Sequence, residues 1–91
     1  MISKEVKIIN KQGLHARPAT AMVNTAARFK SEIFICRDEK KVNGKSILGL
    51  LVLAAESGAV LKIEASGPDE NEAVEALVDL VNDHFGMGEN I

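Results

Sequence analysis

The chain has 91 residues, 11 basic and 13 acidic side chains for a net charge of −2, three Phe, and neither Trp nor Tyr. A chain this short supports one undivided aliphatic core. The lack of a basic surplus argues against direct nucleic-acid binding, and the scarcity of aromatics argues against recognition by ring stacking.

"KEVKII" alternates, with Val6 and Ile8 to one side and Glu5 and Lys7 to the other, and so reads as a half-buried strand. From Pro18 the period changes. Ala19, Met22, Val23 and Ala26 share one helical face, and Pro18 suits a first turn, where its missing N–H has no helical acceptor anyway. This helix is expected to begin within a residue or two of Ala16 and to stop near Phe29. "SEIFIC" is a strand by composition, with Cys36 expected as a buried thiol. "RDEKK" then turns the chain, and "KKVNG" returns as a short strand ending at Asn43–Gly44.

Ser46 is a good N-cap for a short apolar helix that ends before Ser57–Gly58. "AVLKIEAS" alternates again, with Leu61, Ile63 and Ala65 inward and Lys62 and Glu64 outward. In the last element Asp69 is expected to cap and Glu72 to complete a capping box. Ala73, Val74, Leu77, Val81 and Phe85 form its apolar stripe, and Gly86 ends it. The order βαββαβα predicts an α+β open-faced sandwich: a four-stranded antiparallel or mixed sheet, three helices on one face, and water on the other. Residues 1–86 are expected to form a single domain and 87–91 a short frayed tail.

"GLHARPAT", Gly13 to Thr20, carries the chemistry. His15 falls where the first helix opens, and the amides of a first helical turn have no intrahelical acceptors, so with the dipole they form an anion site. Arg17 adds a permanent cation whose planar fork suits phosphate oxygens. The same field favours a neutral, nucleophilic imidazole over its cation. A capping histidine beside a solvated arginine is the plainer alternative, and His-x-Arg by itself does not decide between them.

"GLHARPAT" followed about thirty residues on by "KSILGL" resembles the HPr family, the histidine-containing phosphocarriers of the phosphoenolpyruvate-dependent phosphotransferase system, over nearly the whole chain. The resemblance implies that His15 accepts a phosphoryl group on Nδ1 from enzyme I and passes it to EIIA components for sugar uptake. It also implies that Arg17 steadies the phosphate, that Pro18 shapes the helix start, and that Ser46 is a regulatory phosphorylation site for an HPr kinase/phosphorylase. Ile47, Leu48, Leu51 and Val52 are too many for the core side of one short helix. Some are expected outside, as a partner-docking patch with Ala16, Thr20 and Ala21. A phosphate on Ser46 would add about −1.5 to −2 charges at its rim.

Leu48 stands where many relatives carry Met, and "LAAESGAVLKIEASG" is similar to nitrogen-related paralogues, although Pro18 is kept where several of those carry Ala. The alternatives are therefore a nitrogen-related phosphorelay carrier, or a regulatory binding module whose Ser46-phosphorylated form docks on a transcriptional regulator. A small independent enzyme lacks a second catalytic group, so an intermediate carrier of phosphohistidine is expected rather than a stand-alone catalyst. His84 is expected to suit a helix C-terminus, and neither it nor Cys36 has metal-ligand spacing. No metal, cofactor or membrane partner is expected. The lone cysteine, the lack of an apolar leader and the lack of a membrane-length apolar run make a monomer in the bacterial cytoplasm the expectation.

Overall fold

The computed structural model describes residues 1–53 and 55–86, so the expected tail over 87–91 lies outside the described residues. In chain order the elements are β1 (Ile2–Lys7), α1 (Ala16–Ala26), β2 (Glu32–Arg37), β3 (Lys40–Asn43), α2 (Ile47–Val52), β4 (Val60–Ser66) and α3 (Glu70–Asn82). A 3-10 turn, His84–Gly86, follows α3. The sheet runs β1-β4-β2-β3 and every pairing is antiparallel, so the mixed-sheet alternative is not realised. Helix α3 lies across β1 and β4, and α1 packs against α3 and α2, which leaves the other sheet face open. No described helix is long and apolar enough to cross a membrane.

The alternation read from the sequence fills the core. Val6, Ile33, Ile35, Leu61 and Ile63 point under the helices and meet Met22, Val74, Leu77 and Val81, all buried. Each such aliphatic side chain contributes about 1.5–3 kcal/mol of burial.

Four local expectations need correction. Helix α1 ends at Ala26, three residues short of Phe29, and the Arg28 and Phe29 amides close tighter turns onto Thr25 and Ala26. Asp69 occupies the N-cap position of α3 without making a side-chain cap. Its carboxylate instead accepts the amides of Lys30 and Ser31, both at 2.9 Å, and the Ser31 hydroxyl. Glu70, not Glu72, reaches back, accepting the Gly67 amide at 3.1 Å. Helix α3 stops at Asn82, so Phe85 enters the core from the 3-10 turn, with φ of 56°, rather than from the helical stripe, and His84 shares that turn instead of a last helical turn.

The open face is not simply wet. Glu64 is only 7% exposed, ion-paired to Lys41 at 3.0 Å and Lys62 at 3.3 Å, while Lys41 also lies 4.7 Å from the centroid of the Phe34 ring. The lysines hold the Glu64 carboxyl below the ordinary range against the opposing effect of burial. Cys36 sits on this same face, opposite Lys41 and Lys62, and is half-buried rather than interior. Burial, and then the Glu64 charge, push its thiol up.

The Asp69 clamp ties the α1–β2 connection to the start of α3 and yields a pH prediction. Donation from the Ser31 hydroxyl, then from the Lys30 amide, lowers the Asp69 pKa. A carboxyl lowered on folding stabilises the fold above its unfolded pKa of about 3.9, and the contribution is lost as pH falls through the lower folded value. Asp69→Asn is expected to lower the Tm at neutral pH by several degrees and to flatten the acid limb of a calorimetric Tm–pH curve. An unchanged acid limb would show that the clamp does not couple to folding.

Candidate functional site

The segment from Ile8 to His15 carries the chain from β1 into α1, and its conformation is fixed from both ends. The sequence "NKQG" supplies a turn, with the Gly13 N–H donating to the Asn10 carbonyl at 3.2 Å. The Asn10 side chain is 1% exposed, and its Nδ2 donates to the Gly13 carbonyl at 2.7 Å. Gly13 has φ of +70° and lies against the strap between α2 and β4. A Cβ there would collide with the Ala55 carbonyl oxygen and stand 2.9 Å from Glu56 Cα. The next residue, Leu14, is buried and its N–H donates to that Ala55 carbonyl at 2.8 Å.

With Leu14 anchored inward, His15 is delivered outward. It is the N-cap residue of α1, in extended conformation (φ −77°, ψ −179°), and its carbonyl accepts the Ala19 amide at 2.9 Å. The residue is exposed and its imidazole makes no capping bond. The plain N-cap reading of His15 therefore holds for its backbone but not for its side chain.

Pro18 is buried in the first turn and has no N–H to offer, which leaves the Ala16 and Arg17 amides as that turn's unpaired donors. Arg17 is exposed, and no carboxylate sits in the first turn to neutralise it. Gln12, His15, Ala16, Arg17 and Pro18 line one shallow depression. The adjoining one, over the next turn of α1, is lined by Ala16, Arg17, Thr20, Ala21 and Asn24. Chemically this is an exposed imidazole beside a cation and two amide donors, an arrangement that suits an oxyanion carried on the ring.

Helix α2 packs beside α1. Ser46 caps it as expected, its Oγ accepting the Gly49 amide at 3.1 Å. Only Leu50 of the helix is buried. Leu48 and Val52 are 76% and 61% exposed, Ile47 and Leu51 less so, and Ala16 and Thr20 are exposed while Ala21 is half-buried. The apolar residues proposed for docking thus lie outside the core, on the pair of helices that includes the His15 terminus. Among the described residues no group of His, Cys, Asp and Glu could hold a metal ion. Sequence reading overlooked Asn10, Gly13 and the Ala55–Glu56 strap. The Asn-x-x-Gly spacing signalled the turn, whereas no local pattern signals the strap, whose contacts are long-range.

Comparison with known proteins gives a consistent result. A family model described as the HPr component phosphorylation site of the phosphotransferase system matches residues 2–83. Phosphocarrier protein HPr of Neisseria meningitidis is 49% identical over 89 residues, spanning 98% of this chain and 100% of that protein. The HPr-like protein Crh of Halalkalibacterium halodurans is 53% identical over 78 residues, 86% of this chain and 93% of that protein. The crystal structure of HPr-C-His from Thermoanaerobacter tengcongensis superposes with a TM-score of 0.93 at 49% identity, covering 97% of this chain and 99% of that one.

Proposed function

The chain belongs to the HPr family, phosphocarriers of the phosphotransferase system, and from that premise we propose that His15 is its phosphoryl acceptor and Arg17 the residue that steadies the phosphate. The observation that carries this reading is the exposed, uncapped imidazole of His15 at the mouth of α1, beside Arg17 and two unpaired amides.

The neutral ring attacks phosphorus through Nδ1. A P–N bond forms on His15 as the bond from phosphorus to the donor, enzyme I, breaks, and the bonding pair leaves with the donor. The proton displaced from the imidazole goes to solvent or to the departing group. Transfer onward to an EIIA component reverses the same steps. Positive potential from Arg17 and the amides acts on the phosphorylated ring far more than on the neutral one, which is the differential interaction that catalysis requires. Ile47, Leu48, Leu51 and Val52, with Ala16, Thr20 and Ala21, form the surface on which these partners dock. Ser46 at its rim is the regulatory site, where an added phosphate repels an acidic partner surface.

The likeness to Crh, described in Bacillus subtilis as a catabolite repression HPr, supports one second reading, a regulatory module that acts through phosphorylated Ser46 with His15 idle. One experiment separates the two. The protein is incubated with phosphoenolpyruvate and a bacterial enzyme I, and its intact mass is measured before and after brief acid treatment. The expected result is one acid-labile phosphoryl group that His15→Ala abolishes. No adduct, or one that persists in His15→Ala, would overturn the acceptor assignment and leave the regulatory reading ahead.

A further inference from the structure

We propose that Arg37 and Glu56 are positioning residues for His15, acting through the strap that joins α2 to β4. The inference rests on the acceptor role proposed above and adds residues remote from the helix mouth.

Arg37 ends β2, and among the described residues its side chain reaches the strap at two points. Nη1 donates to the Leu53 carbonyl at 3.2 Å, and Nη2 lies 2.6 Å from Glu56 Oε1. Leu53 is the C-cap of α2, so one guanidinium fixes both the end of that helix and the turn beyond it. Between those two points is Ala55, whose carbonyl holds the Leu14 amide, and Glu56 Cα is part of the surface on which Gly13 rests. Farther along, the Gly58 amide donates to the Ile8 carbonyl at 2.7 Å, and the Ala59 carbonyl accepts the Ile8 amide at 2.8 Å. The segment carrying His15 is therefore fastened to the strap at both ends, and Arg37 fastens the strap to the sheet.

The Glu56 carboxyl is held below the ordinary carboxylate range by its own backbone amide and by Arg37, so the pair is charged throughout the neutral region. Glu56 is largely exposed, and ion pairs of that kind add little to global stability. Their effect on geometry is a different matter, because in-line transfer needs reacting atoms about 3–3.5 Å apart and a displacement of about 1 Å can lower a rate by about 10²-fold. Leu14, buried and hydrogen-bonded to the strap, is the residue that immediately precedes His15.

The test uses the intact protein with Arg37→Met, Glu56→Gln, the double variant and Arg37→Lys. Single-turnover transfer from phosphorylated enzyme I is followed at several concentrations of this protein, together with Tm and the hydrogen exchange of the Leu14 amide. Each single variant is expected to reduce the saturating transfer rate about three- to tenfold, with the half-saturating concentration and Tm nearly unchanged. Leu14 exchange should quicken, the double variant should match the singles, and Arg37→Lys should recover part of the rate. Glu56→Gln, an isosteric change on an exposed side chain, keeps the test intact if Arg37→Met loses stability. Wild-type transfer rates and Leu14 protection in both single variants would overturn the positioning role alone. A wild-type protein that accepts no phosphoryl group would overturn the carrier reading and this role with it.

Discussion

Gly13→Ala is expected to lower the Tm by at least ~8 °C and to slow phosphoryl acceptance tenfold or more. Gly13 is held at φ of +70° with a carbonyl where a Cβ would go. An L side chain in that region is strained by about 1–3 kcal/mol, and displacing a packed backbone oxygen adds about 1–3 kcal/mol more. In a domain of this size each kcal/mol is worth about 4–8 °C. Relief of the collision has to push residues 13 and 14 away from the strap, and His15 moves with them. Calorimetry reads the first effect and single-turnover transfer the second. A variant that kept both near wild type would show that the strap yields freely, which would also weaken the case for Arg37.

Arg17→Ala is expected to behave in the opposite way, with a large effect on rate and almost none on stability. The Arg17 side chain is exposed, and the described contacts include no hydrogen bond or ion pair that its loss would break. The Tm should therefore shift by about 1 °C or less. Removal of one donor preorganised for developing negative charge lowers rates by about 10²–10³-fold where that donor is buried, and a factor of ten to a hundred is expected at this open site. Transfer kinetics alongside a melting curve checks both halves. A marked loss of stability would make Arg17 a structural residue.

Much of this arrangement is legible in the sequence. The period change at Pro18 placed the mouth of α1 correctly because a helix start is a local event, set by which amides lack acceptors. The cap at Ser46 and the exposed α2 residues followed for the same reason: six helical residues cannot turn five large side chains inward. The misses share a physical origin. Asp69 has the composition of an N-cap, but the amides of Lys30 and Ser31 arrive from the far side of the chain and claim its oxygens. Glu64 alternates outward as expected, yet Lys41 reaches it from β3 across the intervening strand, Lys62 joins from β4 itself, and Phe34 stands opposite it on β2. Cys36 shares that face. The contacts of Gly13 and Leu14 with Ala55 cross some forty residues of sequence, a separation at which spacing and periodicity say nothing.

The missing amide of Pro18 has a consequence for turnover. With two backbone donors in the turn, the entrance to α1 would grip an anion lightly, in contrast to glycine-rich nests that envelop one. A phosphate enclosed by a full complement of donors would become a resting state, slow to leave. Here most of its oxygens would face water and any approaching acceptor, so a phosphate carried on His15 would stay restless, and handing it on would be little harder than taking it up.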